Sequence, residues 1–170
     1  MILHKISLFA FSLAAVTLVC CNKQSGLGPN YTDYNPPAAP IVVTNAVDYR
    51  PDPTVTTSLS GDSSITITMA LTGNSGKSMT QITNVIGSTS YAAIQSATSK
   101  WYNAAPITAT NNSVTFKTSI GEYFKNYPLK AGTNPAATAN VELAFRFYFS
   151  IELSDGSVVY PTPVRVLVLQ

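Results

Sequence analysis

The chain has 170 residues, a formal net charge of +2 and only 11% charged residues, which leaves room for one ordinary domain with a short appendage. Its ten Lys and Arg residues are spread singly, so no basic stripe exists to follow a phosphate backbone, and no nucleic-acid partner is expected. Short hydroxyls and β-branched residues are abundant, a composition that suits an exported all-β domain better than a cytosolic helical one.

The chain opens with His4 and Lys5, followed at residues 6–19 by fourteen weakly polar to apolar positions that end at Cys20 and Cys21. A membrane-spanning helix needs about 20 apolar residues. A shorter run ending at small residues and cysteines reads as the apolar region of a cleaved export signal. Leu18-Val19-Cys20-Cys21, with the polar tail Asn22-Lys23-Gln24 behind it, resembles the lipobox of bacterial lipoproteins. The resemblance implies that residues 1–20 are a signal peptide and that Cys21 receives the lipid as the first mature residue. Cys20 is then the small residue ahead of the acceptor, whereas acylation at Cys20 would put the bulkier Val19 there. The membrane is thus an expected partner through the lipid alone, each buried methylene contributing roughly 0.8 kcal/mol.

Asn22 after the cysteine is similar to lipoproteins sorted to an outer membrane, and the segment looks like that of small Bacteroidota lipoproteins. Surface display in that group is often signalled by acids just past the cysteine. The first acid here is Asp33, which leaves the periplasmic leaflet and the cell surface both as expected positions. With His4 and Cys20 removed, the mature chain carries no imidazole and no free thiol, so no disulfide, ordinary zinc site or Cys or His nucleophile is expected.

Residues 21–40 hold Gly26, Gly28, Pro29, Pro36, Pro37 and Pro40 with hardly a hydrophobe and read as a lipidated flexible linker, whose Tyr31 and Tyr34 are expected to be exposed without a role, the alternative being that they dock on the domain or on a partner. Residues 41–170 then read as strands and turns. Strands are expected at 41–47, at 54–59 along an edge, and at 64–71, where Ile65, Ile67, Met69 and Leu71 share a core face. Residues 79–86 are β-rich but irregular, and Tyr91 and Ile94 among alanines suggest a short helix within 90–97. Residues 100–108 and 113–118 read as strands around an Asn111-Asn112 turn. Ser119-Ile120-Gly121-Glu122 has the spacing of a capping box and opens a short helix that Pro128 ends.

The strongest pattern is residues 141–153, with Val141, Leu143, Phe145, Phe147, Phe149, Ile151 and Leu153 at every odd position and Glu142, Ala144, Arg146, Tyr148, Ser150 and Glu152 facing away. Thirteen residues at roughly 3.3 Å each make a long strand that either runs the full height of a two-layer domain or bends. Asp155-Gly156 signals a hairpin that pairs Leu153 with Val158 and Ile151 with Tyr160 and sets Val158, Tyr160, Val164, Val166 and Val168 toward the core. Pro161 and Pro163 should break that pairing and send the last strand toward the opposite sheet. Seven to nine short strands with one or two short helices make an all-β fold, an immunoglobulin-like β-sandwich without the Cys-Trp-Cys hallmark.

No catalytic residue, metal or cofactor is expected. Gly73 to Ser78 ends like a phosphate-binding loop, but Leu71 stands where that loop needs glycine, so a turn is the better reading. Asp48 and Asp52 are too few carboxylates for a calcium site. Glu142 and Glu152 share a solvent face too far apart for paired-carboxylate hydrolysis. Trp101 and Tyr102, adjacent rings pointing opposite ways, are the candidates for stacking on a ligand. The expected role is a non-catalytic, lipid-anchored binding module at the outer membrane, with a glycan or an outer-membrane protein as partner. The alternative is a structural or adhesin-like subunit that binds protein through a sheet edge, the proline-interrupted final strand.

Overall fold

The structure, a computed structural model, describes residues 40–73, 76–129 and 136–170. The expected signal peptide, Cys21 and the linker up to residue 39 lie outside the described residues, as do parts of the loops at 73–78 and 130–139. Ten strands and two short helices are described: β1 Ile41–Val43, β2 Thr54–Ser58, β3 Ser64–Leu71, β4 Met79–Ser88, α1 Tyr91–Gln95, β5 Ile107–Thr108, β6 Ser113–Ser119, α2 Ile120–Asn126, β7 Val141–Glu142, β8 Arg146–Leu153, β9 Val158–Val159 and β10 Arg165–Leu169. They form three sheets of order β1-β3-β6, β2-β10-β7 and β5-β4-β8-β9. The fold is all-β.

The local signals explain most elements. In β3 the alternation leaves Ile65, Ile67 and Met69 without exposure. Ser90 caps α1 by accepting from Ala92 N at 3.2 Å, and Ser119 caps α2 by accepting from Glu122 N at 3.1 Å, each taking up a donor that the first helical turn leaves orphaned. Asn111 and Asn112 turn at φ 51° and 59°, a left-handed pair that asparagine tolerates. The irregular hydrophobicity of β4 has a structural cause: its pairing with β8 slips twice, between Met79 and Gln81 and between Ile82 and Asn84, and each slip changes which side chains face the core.

Two expected strands are shorter than their sequence pattern, and in both an asparagine side chain replaces the ladder. β1 stops at Val43, beyond which Asn45 donates to Thr66 O and accepts from Thr68 N, both at 2.9 Å. Of residues 100–108 only β5 is a strand. Ahead of it Asn103 accepts from Val85 N at 2.7 Å and donates to Thr83 O at 3.1 Å. An amide side chain offers the same donor and acceptor as a peptide group, so it can satisfy β4 without an extended backbone.

The expected thirteen-residue strand is divided. β7 pairs with β10, and β8 pairs with β4, so the chain changes sheet between Leu143 and Phe145. There Leu143 N donates to Val166 O at 3.0 Å and Phe145 N to the hydroxyl of Tyr123 on α2 at 3.0 Å. Leu143, Phe147, Phe149, Ile151 and Leu153 are buried as expected, but Val141 is exposed and Phe145 only half-buried. The opposite face of β8 is not simply solvated either. Tyr148 packs in a second cluster with Ile86 and Ile94 under α1, and Ser150 is buried with its hydroxyl on that of Thr83.

The hairpin register also differs from expectation. Ile151 pairs with Val159 and Glu152 with Val158, because Gly156 at φ 79° closes a loop one residue longer, with Gly156 N on Leu153 O and Leu153 N on Ser157 O, both at 2.9 Å. A one-residue slip reverses every side chain. Val158 and Tyr160 are therefore 45% and 39% exposed, and Val159 packs inward. The phase reverses again at Pro163-Val164, so Val164, Val166 and Val168 are buried as expected. Past the prolines β10 joins the other sheet, parallel to β2 and antiparallel to β7. One core is shared by all three sheets, and α2 adds Ile120 and Tyr123 to it.

Candidate functional site

The segment Asp48–Pro53, read in the sequence as a proline-broken loop, is anchored from several sides. Asp48 O accepts from Thr54 N at 2.7 Å, and Val47 N donates to Thr54 O at 2.8 Å. Asp52 is paired with Arg146 on β8 at 2.7 Å. Arg165 of β10 reaches Arg50 O at 3.2 Å while its guanidinium binds both carboxylate oxygens of Glu142. Tyr49 donates its hydroxyl to Val43 O at 2.5 Å. The Arg50–Pro51 peptide is cis. A surface loop held by so many separated residues presents its side chains in a fixed arrangement.

The loop bounds a concavity of about 200 Å³ lined by Ile41, Val42, Val43, Tyr49, Pro51, Pro53 and Thr162. The two proline-rich breaks of the sequence, one after β1 and one before β10, thus meet across it. Its floor is the outer edge of β1. Thr72 N donates to Pro40 O and Thr44 N to Thr68 O, so residues 40, 42 and 44 point their peptide groups at β3. By alternation the peptide groups of Ile41 and Val43 point into the groove. Among the described residues, only the Val43 carbonyl of these has a partner there, the Tyr49 hydroxyl.

No carboxylate, imidazole, thiol, amine or guanidinium is among the lining side chains, and the charged groups around the rim are engaged with one another. Asp48 accepts from Tyr49 N at 2.7 Å, the main reason its carboxyl is held below the ordinary value, with Arg50 adding to the effect. Among the described residues no three His, Cys, Asp or Glu side chains gather as metal ligands.

The carboxylates singled out in the sequence are likewise tied down. Asp48 and Asp52 bind different arginines. Glu142 and Glu152 lie on β7 and β8, in different sheets, rather than on one solvated face; Glu142 holds Arg165, and Glu152 accepts from Gln81 at 2.6 Å. Lys77 of the 73–78 turn pairs with Asp155 in the 154–157 turn at 2.7 Å, and this hydrogen bond is the largest cause holding Asp155 well below the ordinary carboxylate range.

Trp101 and Tyr102 do point to opposite sides, though from a loop rather than a strand. Trp101 is half-buried against Ile86, Ile94 and Tyr148. Tyr102 packs its ring on Phe116, Tyr127 and Phe147 with centroids 5.6, 5.9 and 5.6 Å away and shares a hydrogen bond with the Thr118 hydroxyl at 2.5 Å. Neither lines the groove. Among the described residues the most exposed rings are Tyr49, which lines the groove, and Tyr91 and Tyr160; Tyr91 donates to Pro161 O at 3.3 Å. No known protein family, curated protein or solved structure matches the chain.

Proposed function

We propose that this protein is a non-catalytic binding module, lipid-anchored at Cys21 to an outer membrane, whose domain is an immunoglobulin-like β-sandwich. The orders β1-β3-β6 and β5-β4-β8-β9, with the last strand leaving its hairpin partner's sheet to run parallel to β2, support the sandwich reading, since strands that cross from one sheet to another suit a Greek-key layout. The observation that carries the functional reading is the groove: strand-edge peptide groups, a tyrosine, two prolines and a threonine line it. Such a lining can hold a ligand but offers no base, nucleophile or metal ligand poised near neutral pH. Its volume is below the range of about 300–1,000 Å³ in which enclosed small-molecule sites fall, which favours a long ligand lying across the surface. This supports the protein-binding alternative, with the edge at β1 rather than at the final strand; β10 is paired on both sides. The exposed rings of Tyr91 and Tyr160 favour a second reading, a glycan stacked beside α1.

The lipid-free chain (Cys21→Ser, without the signal) should bind a member of a peptide or glycan panel saturably and release no product from glycans, esters or peptides. Turnover abolished by replacing one Asp or Glu would contradict the reading.

A further inference from the structure

We infer that the outer edge of β1 accepts an extended peptide segment of another protein as an added strand; this rests on the reading of the chain as a binding module and names its ligand. The argument begins from the peptide groups. The N–H and C=O of Ile41 and the N–H of Val43 face the groove with no partner among the described residues. An alternating row of main-chain donors and acceptors is matched by another extended main chain, which gives affinity through the ladder and specificity through alternate side chains. The walls suit that ligand. Val42 and Tyr49 are partly exposed apolar surfaces, while Pro51 and Pro53 have no N–H to compete for the incoming strand.

The other edges are defended or covered. β6 carries the exposed Lys117 on its outer stretch, a charge that discourages pairing. β5, β7 and β9 are two residues long. β2 is the outer strand of its sheet, yet Thr54, Val55 and Thr57 are buried, and the Thr57 hydroxyl bonds Ser64 O on β3 at 2.6 Å. Among the described residues, β1 alone combines unpaired main-chain groups with a walled groove.

The test uses a displayed library of random linear peptides panned on the lipid-free chain, followed by synthesis of the peptide that enriches. Replacing its amides one at a time by N-methyl amides should weaken binding at every second position, because only alternate amides face β1. On the protein, Ile41→Pro deletes an N–H that no fold hydrogen bond uses and should weaken binding roughly two- to tenfold, the value of one main-chain hydrogen bond. Thr162→Trp fills the groove from the far wall and should abolish binding with the melting temperature unchanged, which keeps the test decisive should Ile41→Pro destabilise the fold. Failure of any peptide to enrich, an N-methyl profile without period two, or binding indifferent to Thr162→Trp would overturn the inference. Glycan binding lost in Tyr91→Ala, without peptide binding, would overturn it while leaving the binding-module reading in place; silence from both panels would remove both.

Discussion

Replacing Phe147 by alanine should unfold this domain more readily than any change on the neighbouring residue. Phe147 has no exposed surface, and its ring meets those of Tyr102, Phe116 and Tyr123 at 5.6, 5.4 and 6.1 Å. Truncating a buried phenylalanine costs about 3–5 kcal/mol, a large share of the 5–15 kcal/mol that holds a domain of ordinary size together. With an unfolding entropy of about 2.1 cal/mol/K per residue over residues 41–170, a loss of about 4 kcal/mol lowers the melting temperature by roughly 15 °C. Arg146, one residue earlier, faces the other way and holds Asp52 at 2.7 Å. Because the pair is partly exposed, Arg146→Ala should cost only about 1 kcal/mol and roughly 4 °C. Thermal denaturation of the two variants beside the parent measures the difference. Equal shifts would refute the placement of β8, since the argument depends on adjacent residues meeting different surroundings.

Three further outcomes follow from the same contacts. At Gly87 an added Cβ would stand 2.5 Å from Tyr127 Cε2, so Gly87→Ala should destabilise by about 1–3 kcal/mol in chemical denaturation; an unchanged midpoint would mean that Tyr127 does not lie over β4. Burial holds the Tyr123 phenol up to about 12, against about 10 in an unfolded chain. Because the folded value is the higher, the neutral phenol's contribution is whole below pH 10 and is lost as pH rises from about 10 to 12; absorbance at the phenolate band should show late-ionising tyrosines that titrate only with unfolding, and full ionisation of a still-folded domain near pH 10 would contradict it. Cys21→Ala should leave the precursor unprocessed or the protein outside the membrane fraction, and a mature N-terminus found elsewhere by mass spectrometry would exclude the lipid anchor.

Much of this fold is legible wherever one residue's surroundings repeat every second position. β3 and the core face of β8 follow directly from alternation, the start of α2 from a serine placed to cap, and α1 from the spacing of Tyr91 and Ile94. The sequence misleads where a side chain does the work of a backbone, as Asn45 and Asn103 do, since nothing in a local pattern distinguishes an asparagine that extends a strand from one that replaces it. The hairpin is more instructive. Val164, Val166 and Val168 are buried as alternation from Leu153 suggests, yet only because the extra residue at Gly156 and the phase reversal at Pro163 cancel. Val158 and Tyr160, between the two, are exposed. The groove is hidden from sequence altogether, because it exists only when residues 41–53 meet residue 162, and only the prolines hinted at breaks on both sides. Trp101 is the single tryptophan, but among the described residues the rings most open to solvent are tyrosines, whose facing depends on register.

Amide hydrogen exchange along β1 in the free, lipid-free chain tests the central claim most directly. Val42 and Thr44 donate toward β3 and should exchange slowly, while Ile41 and Val43 face the groove and should exchange at nearly the rate of an unprotected peptide. Protection at all four amides would mean that the edge is already covered and that β1 is not where this protein takes up a partner.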